Sequence, residues 1–351
     1  MHKHNPLMYK LLISILLTSA AGALHADTAG EPKTSWGDPD LQGIWDFRTL
    51  TPMERPIAFG DKTVLTSAEA QALLARILPA DRKDEPTGVA TQDVETYNSF
   101  WLDPGENLDS EMRTSLIIDP PNGRLPERVA SADKERIAQN QKRTRPVRDI
   151  LSYSVGPNYL HQHPESLGLS ERCLVGFNAG PPITPSAYNN NLRIVQTPGN
   201  VLLVTEMVHD ARVIPTDGRA KLPNNIRQWM GSSIGNWDGQ TFVVETSNFS
   251  NKTPAFQLPI LNITDVGGGV LGSGLNLHLV ERFTRMGANQ LSYEATVTAP
   301  DSFKQPFTYR VLMRRTDDKV FEYACHEGNY AMGGILRGAR LQEREATAGL
   351  E

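Results

Sequence analysis

The sequence predicts a mainly β protein, an antiparallel up-and-down barrel or a strongly curved sheet, behind a loop-rich, partly helical N-terminal region. Three observations carry this. Short alternating runs follow one another at 191–197, 200–208, 212–215, 240–249, 277–286, 290–299, 306–315 and 319–326. Compact turn signals separate several of them: Thr197-Pro198-Gly199-Asn200, Asn236-Trp237-Asp238-Gly239-Gln240, Met286-Gly287-Ala288-Asn289 and Thr316-Asp317-Asp318. The 24 prolines and 28 glycines favour many turns over long helices. Asp-Gly between apolar runs marks a tight hairpin. Consecutive hairpins make a meander, and a meander of about eight strands tends to close and so remove its exposed edges.

Alternation shows which faces turn inward. Leu291, Tyr293, Ala295 and Val297 alternate with Ser292, Glu294 and Thr296, and Phe307, Tyr309, Val311 and Met313 repeat the pattern. Side chains two apart share a face of a strand. By this reckoning three acids fall on apolar faces. Glu281 goes with Leu277, Leu279 and Phe283, Glu206 with Leu202, Val204 and Val208, and Glu245 with Thr241 and Val243. A buried carboxylate needs a partner or a raised pKa, and Arg212, Arg227, Arg282 and Arg310 are the candidate partners. Such a pair is either an internal salt bridge or part of a polar interior aimed at a ligand.

The N-terminal half reads differently. Residues 27–60 are irregular, with Trp36 and Trp45 set among turn residues, as in an arm that packs its aromatics onto another surface. The stretch 66–76 is rich in helix formers, with Thr66 or Ser67 as N-cap and Glu69 just inside. A second helix is expected at 131–141, with Asp133 and Glu135 early and Lys142-Arg143 late, as the helix dipole prefers. Pro120-Pro121-Asn122-Gly123-Arg124 is a turn between them. The division is a signal at 1–26, an arm of short helices and loops at 27–150, and a β-barrel domain at 151–345.

The signal rests on Lys3 and Lys10, the apolar run from Leu11 to Leu17, and small residues ending in Ala21-Gly22-Ala23. These are the three parts of a cleavable export signal, with Ala23 or Ala26 as the last residue removed. The apolar run is too short to cross ~30 Å of hydrocarbon. Export implies a periplasmic or secreted mature chain with no membrane span. A net charge of −5 offers no electrostatic footprint for nucleic acid.

Two cysteines, Cys173 and Cys325, are expected to pair in an oxidising compartment. The alternatives are two free buried thiols or a reactive Cys325 beside His326. Outside the signal, His161, His163, His209, His278 and His326 remain, and acids lie near four of them. His209 is the leading general acid or base, with Asp210 or Glu206 to orient it and Arg212 to hold an anionic group. His326 and Glu327 form a second catalytic candidate, which a Cys173–Cys325 bridge would bring close to Arg172. Tyr188, Asn190, Trp229, His278, Glu281 and Arg282 are candidate substrate contacts. No zinc spacing occurs; His161-x-His163 with Glu165 is the weak metal candidate. Gly231-Ser232-Ser233-Ile234-Gly235 matches the nucleophile-elbow pattern, but the strand and helix that the motif needs do not flank it. No dinucleotide or haem motif is present, and no cofactor is expected.

Ser115 to Arg124, Glu171-Arg172-Cys173-Leu174, Tyr188-Asn189-Asn190-Asn191, Glu206 to Arg212, Val243-Val244-Glu245-Thr246, His278 to Phe283 and Tyr323 to Tyr330 together resemble a large, uncharacterised family of secreted bacterial proteins. The resemblance spans nearly all of the mature chain and transfers no catalytic role. The Gly235 to Thr241 hairpin resembles those of lipocalin-like barrels. The expected function is processing of a small, partly apolar molecule by a cofactor-free lyase, isomerase or hydrolase, using His acid–base chemistry in a barrel pocket. A non-catalytic periplasmic binder of a small apolar or aromatic ligand is the second reading, and a structural envelope protein the third.

Overall fold

The computed structural model describes residues 32–77, 103–130, 163–258 and 269–348. The export signal, the helix expected at 131–141, His161 and the start of the Gly-rich loop lie outside the described residues. Alternation and turns produce a 10-stranded antiparallel sheet. Its strands are β1 (Gly43–Asp46), β2 (Ile117–Asp119), β3 (Asn191–Thr197), β4 (Asn200–Thr205), β5 (Ala211–Pro215), β6 (Ser232–Asp238), β7 (Thr241–Ser247), β10 (His278–Arg285), β11 (Gln290–Thr298) and β12 (Phe307–Thr316). A separate hairpin pairs β8 (Phe256–Leu258) with β9 (Gly269–Leu271). The order across the large sheet is β5-β4-β3-β1-β12-β11-β10-β7-β6, and β2 also pairs with β12.

The sheet curls but does not close: β5 and β6 share no ladder. They nevertheless approach, with Cα atoms within 8 Å. Ile214 of β5 and Gly235 of β6 meet at this seam. A Cβ on Gly235 would lie 3.0 Å from an Ile214 methyl and 2.5 Å from the Phe242 ring, so only glycine lets the two edges come so close. Of the two architectures expected, the strongly curved sheet is the one formed.

Inside the curl, period two works as expected on the β10–β12 meander. Leu279, Glu281 and Phe283, then Leu291, Tyr293, Ala295 and Val297, then Phe307, Tyr309, Val311 and Met313 are buried. Each large apolar side chain so buried contributes roughly 1.5–3 kcal/mol. On β4 the phase is the opposite of the one expected. Val201, Leu203 and Thr205 are buried, while Leu202 and Val204 are half-buried. The reason is the hairpin register, Thr197 opposite Asn200, which aligns β4 with β3 whatever its own hydrophobicity.

The N-terminal arm does more than lay its aromatics on a finished surface. Its β1 inserts between β3 and β12, at the middle of the sheet. Trp45 points inward, fully buried, and its indole N–H donates to the Leu41 carbonyl at 2.9 Å. The first helix, α1 (Ser67–Ile77), starts as expected. Glu69 N donates to the Thr66 hydroxyl at 3.3 Å, and Thr66 N donates back to the Glu69 carboxylate at 2.8 Å. That is a reciprocal capping box.

The strand expected at 319–326 does not form. Both sides of β12 are already taken, by β11 on one and by β1 and β2 on the other, so the segment that follows cannot extend the meander by pairing with β12. The tail runs irregularly into a short helix, α2 (Cys325–Gly328), and a long one, α3 (Tyr330–Ala348). Gly333, Gly334 and Gly338 mask α3 in the sequence, each lowering helix propensity by ~1 kcal/mol.

Candidate functional site

Two groups of polar side chains stand out, one at the centre of the curl and one at its rim. At the centre, Arg212 of β5 reaches across the seam to Glu281 of β10. The guanidinium donates twice to the carboxylate, at 2.7 and 2.9 Å. The Tyr293 hydroxyl donates to Glu281 at 3.0 Å and accepts the Ile183 N–H at 2.8 Å. The Tyr309 hydroxyl donates to the Ile183 carbonyl at 2.6 Å. Both polar groups of one inserted peptide residue are therefore satisfied by tyrosines. Burial alone would lower the Arg212 pKa, but the Glu281 charge outweighs it and the net shift is upward. Burial, and secondarily the Glu281 charge, hold the Tyr293 hydroxyl protonated well above its usual range. Burial does the same for Tyr309.

Arg212 and Glu281 thus neutralise each other inside the molecule. The interior that was expected to hold a ligand's apolar part contains Trp45, Phe242, Phe283, Phe307 and the Ile183 segment instead. Glu245 was expected inward and faces outward, against Lys221, with His278 Nε2 at 3.7 Å. His278 and Arg282 share that outer face, and Arg282 pairs with Asp238 at 2.9 Å. Those two substrate candidates lie on the opposite side of the sheet from Glu281.

At the rim, β4 ends and residues 206–210 turn sharply. Val208 and His209 have φ of 59° and 45°, both in the left-handed region. For a non-glycine residue that costs ~1–2 kcal/mol, and a β-branched residue rarely adopts it. Thr205 N donates to the Asp210 carbonyl at 2.9 Å and His209 N to the Glu206 carbonyl at 3.1 Å, closing the turn. Buried Met207 and Val208 side chains anchor it. Such over-determined strain is characteristic of working sites. Here it leaves His209 exposed, with Nδ1 3.1 Å from the Tyr323 carbonyl. A carbonyl only accepts, so Nδ1 carries the proton in the neutral ring and Nε2 presents its lone pair.

The carboxylates proposed to orient His209 have other tasks. Asp210 accepts the Gly176 N–H at 2.8 Å. Burial pushes its carboxyl above the ordinary value, and that hydrogen bond partly opposes the shift. Glu206 accepts from the Asn191 amide at 2.8 Å and from Phe321 N at 3.3 Å. The orienting group is a backbone carbonyl that the sequence reading did not single out. Its signal was present: Tyr323 stands two residues before Cys325, and Cys173 and Cys325 are bridged across 152 residues.

Around His209, the Tyr323 ring stacks on Tyr188 at 6.4 Å between centroids, and Tyr188 meets Phe177 edge-on at 5.3 Å. Asn329 donates to the Glu171 carbonyl at 2.8 Å. Four of the six described non-glycine residues with positive φ, Cys173, Asn189, Val208 and His209, belong to this rim. Asn190 is buried, and its amide serves Ser186, Asn178 and the Asp103 carbonyl. His326 and Glu327 are exposed on α2, carried to this end by the bridge; no described contact joins either side chain to His209. Trp229 lies apart, where its carbonyl accepts the Thr253 hydroxyl at 2.9 Å. Ser233 sits within β6, hydrogen-bonded to Thr246 at 2.8 Å, and not on an elbow. Among the described residues, no group of three or more His, Cys, Asp or Glu side chains is arranged to hold a metal. Among them also, no helix is long and apolar enough to cross a membrane. No family model, no curated protein and no solved structure matches this chain.

Proposed function

We propose that this protein is an extracytoplasmic, cofactor-free enzyme of the lyase, isomerase or hydrolase type, with His209 as its general base at the rim of the curled sheet. The supporting observation is the His209 ring itself: exposed, held on a strained turn, and hydrogen-bonded through Nδ1 to a carbonyl, with no partner on Nε2 among the described residues. In that arrangement Nε2 abstracts a proton from a bound substrate, and the imidazolium formed is stabilised by the Tyr323 carbonyl dipole. Tyr188 and Tyr323 offer partly exposed ring surface to a small, partly apolar molecule. The same ring surface favours a second reading, a binder that retains such a molecule unchanged.

The test incubates the oxidised protein with a pooled extract of small molecules and follows each compound by mass spectrometry. At least one compound should be consumed by the native protein and spared by His209→Ala. Equal consumption by the variant would overturn the role of His209. Retention of a compound on the protein without conversion would replace the enzyme with the binder.

A further inference from the structure

The chain from β12 to α2 is attached to the molecule in an unusual way. No side chain of residues 317–324 is buried, and the Phe321 ring is 68% exposed. Burial of apolar surface, which holds most loops against a core, is therefore not what keeps this segment in place. Its described attachments are few: Phe321 N on Glu206, the Tyr323 carbonyl on His209 Nδ1, the Tyr323 ring on Tyr188, the Asn329 amide on the Glu171 carbonyl and the Cys173 sulfur, and the Cys173–Cys325 bridge. Only the last is covalent. Yet this segment supplies the carbonyl that determines the His209 tautomer.

We propose that Tyr323 is the positioning residue of His209, acting through its backbone carbonyl, and that the Cys173–Cys325 bridge makes this positioning conditional on oxidation. The consequence for catalysis rests on the reading of His209 as a base; the positioning itself does not. Before oxidation the chain carries two thiols. The bridge forms by exchange with an external disulfide: the two thiols lose two protons and two electrons, one S–S bond forms here, and the oxidant leaves as two thiols. With the bridge closed, Tyr323 stands at His209 and the proton is held on Nδ1. With it open, residues 317–324 are released and the exposed imidazole reverts to the Nε2–H form that the free ring favours in water. Nε2 then carries a proton and is no longer available as a base. The chain would acquire its base only after reaching an oxidising compartment.

The readout is the imidazole nitrogen pattern of His209, measured by long-range proton–nitrogen correlation on protein labelled at histidine and assigned with His209→Gln. The oxidised protein should show a protonated Nδ1 and an unprotonated Nε2. Cys173→Ser with Cys325→Ser should move the pattern to predominant Nε2–H while the methyl signals of Val311 and Leu279 in the core stay in place. Tyr323→Ala, which keeps both the carbonyl and the bridge, should retain the Nδ1–H pattern. If the serine pair fails to fold, mild thiol reduction of the native protein provides the same comparison, and the nitrogen pattern should change in step with loss of the bridge by mass. An Nδ1–H pattern that survives loss of the bridge would overturn the proposal, as would its loss in Tyr323→Ala. A tautomer change that leaves turnover untouched would support the positioning and overturn His209 as the base.

Discussion

Arg212 and His209 stand three residues apart in one segment, yet the molecule treats them in opposite ways. Arg212 is folded into the centre, gripped twice by Glu281, with Tyr293 and Tyr309 completing the network. His209 is left at the rim on strained backbone, its side chain with one described hydrogen bond. The partners of each side chain separate a structural ion pair from a group open to chemistry. A fully desolvated pair that answers its own charges specifies the core but offers nothing to a ligand. An exposed ring held at a conformational cost offers one nitrogen to whatever binds there. Both would count as polar residues near a strand end, and only their partners separate them.

The largest effect on stability is expected from opening the bridge. Closing a loop of about 150 residues is worth about 4–5 kcal/mol in the chain-entropy model, so Cys173→Ser with Cys325→Ser should lower the urea midpoint accordingly. Hydrogen exchange should then accelerate at residues 206–210 and 169–177 while β10–β12 remain protected. Equal loosening of centre and rim would show that the two regions are one cooperative unit.

Next in size is Glu281→Ala. It leaves Arg212 buried without its counter-charge and should cost about 3–5 kcal/mol in chemical denaturation. Arg212→Met with Glu281→Leu should recover most of that loss, since two apolar side chains need no partner. A double variant as unstable as the single one would mean that the pair does more than neutralise itself.

His209→Gly should behave in the reverse manner. Release of left-handed strain is offset by the greater freedom of glycine when unfolded, so stability should change by no more than ~1 kcal/mol. Turnover, by contrast, should fall by about 10²–10⁴-fold, the usual worth of a general base. A large stability loss without a loss of activity would move His209 into the structural class with Arg212.

The smallest effect concerns Asp210, whose carboxyl burial raises above its ordinary value. Here the folded state binds its proton more tightly than the unfolded state does. Stability from this group is therefore present at low pH and falls as pH rises from the unfolded pKa of roughly 3.9 through the raised folded value. Asp210→Asn can still accept the Gly176 N–H but does not titrate. Thermal midpoints of variant and native protein should converge below that window and diverge above it, with the native protein the less stable. Parallel profiles across the whole range would remove the carboxyl from the rim's electrostatics.

Much of the architecture was legible along the chain, for reasons visible in single elements. The hairpin of β6 and β7 turns at Gly239, whose φ of 60° suits a two-residue loop that begins with glycine. The α1 cap was readable because Thr66 and Glu69 stand at the spacing that lets each satisfy the other's amide. Other parts were hidden. β6 reads Ser-Ser-Ile-Gly-Asn-Trp-Asp, too polar for its pattern to stand out, and it is a strand because β7 offers a ladder. β1 is short and sits among turn residues, so nothing local reveals that it occupies the middle of the sheet. The site was legible in part. His209 stood out through its dense polar run, but the hydrogen-bond partners of its neighbours Glu206 and Asp210 could not be read from nearness in sequence. Both side chains turn instead to distant backbone amides, Phe321 and Gly176.

By itself the sequence determined what depends on neighbours a few residues apart: the inward faces of β10, β11 and β12, the start of α1, the tight turns, and the existence of a single cysteine pair. Periodicity, capping and turn chemistry are local, and they act before any tertiary contact is made. Only the tertiary structure decided that Arg212, among four candidates, would pair with Glu281, because that depends on the sheet curling until β5 and β6 meet. Only the tertiary structure decided that a carbonyl more than a hundred residues away would orient His209. A backbone carbonyl is common to every residue, so the cysteine pair could point to the region around Cys325 but not to that one carbonyl.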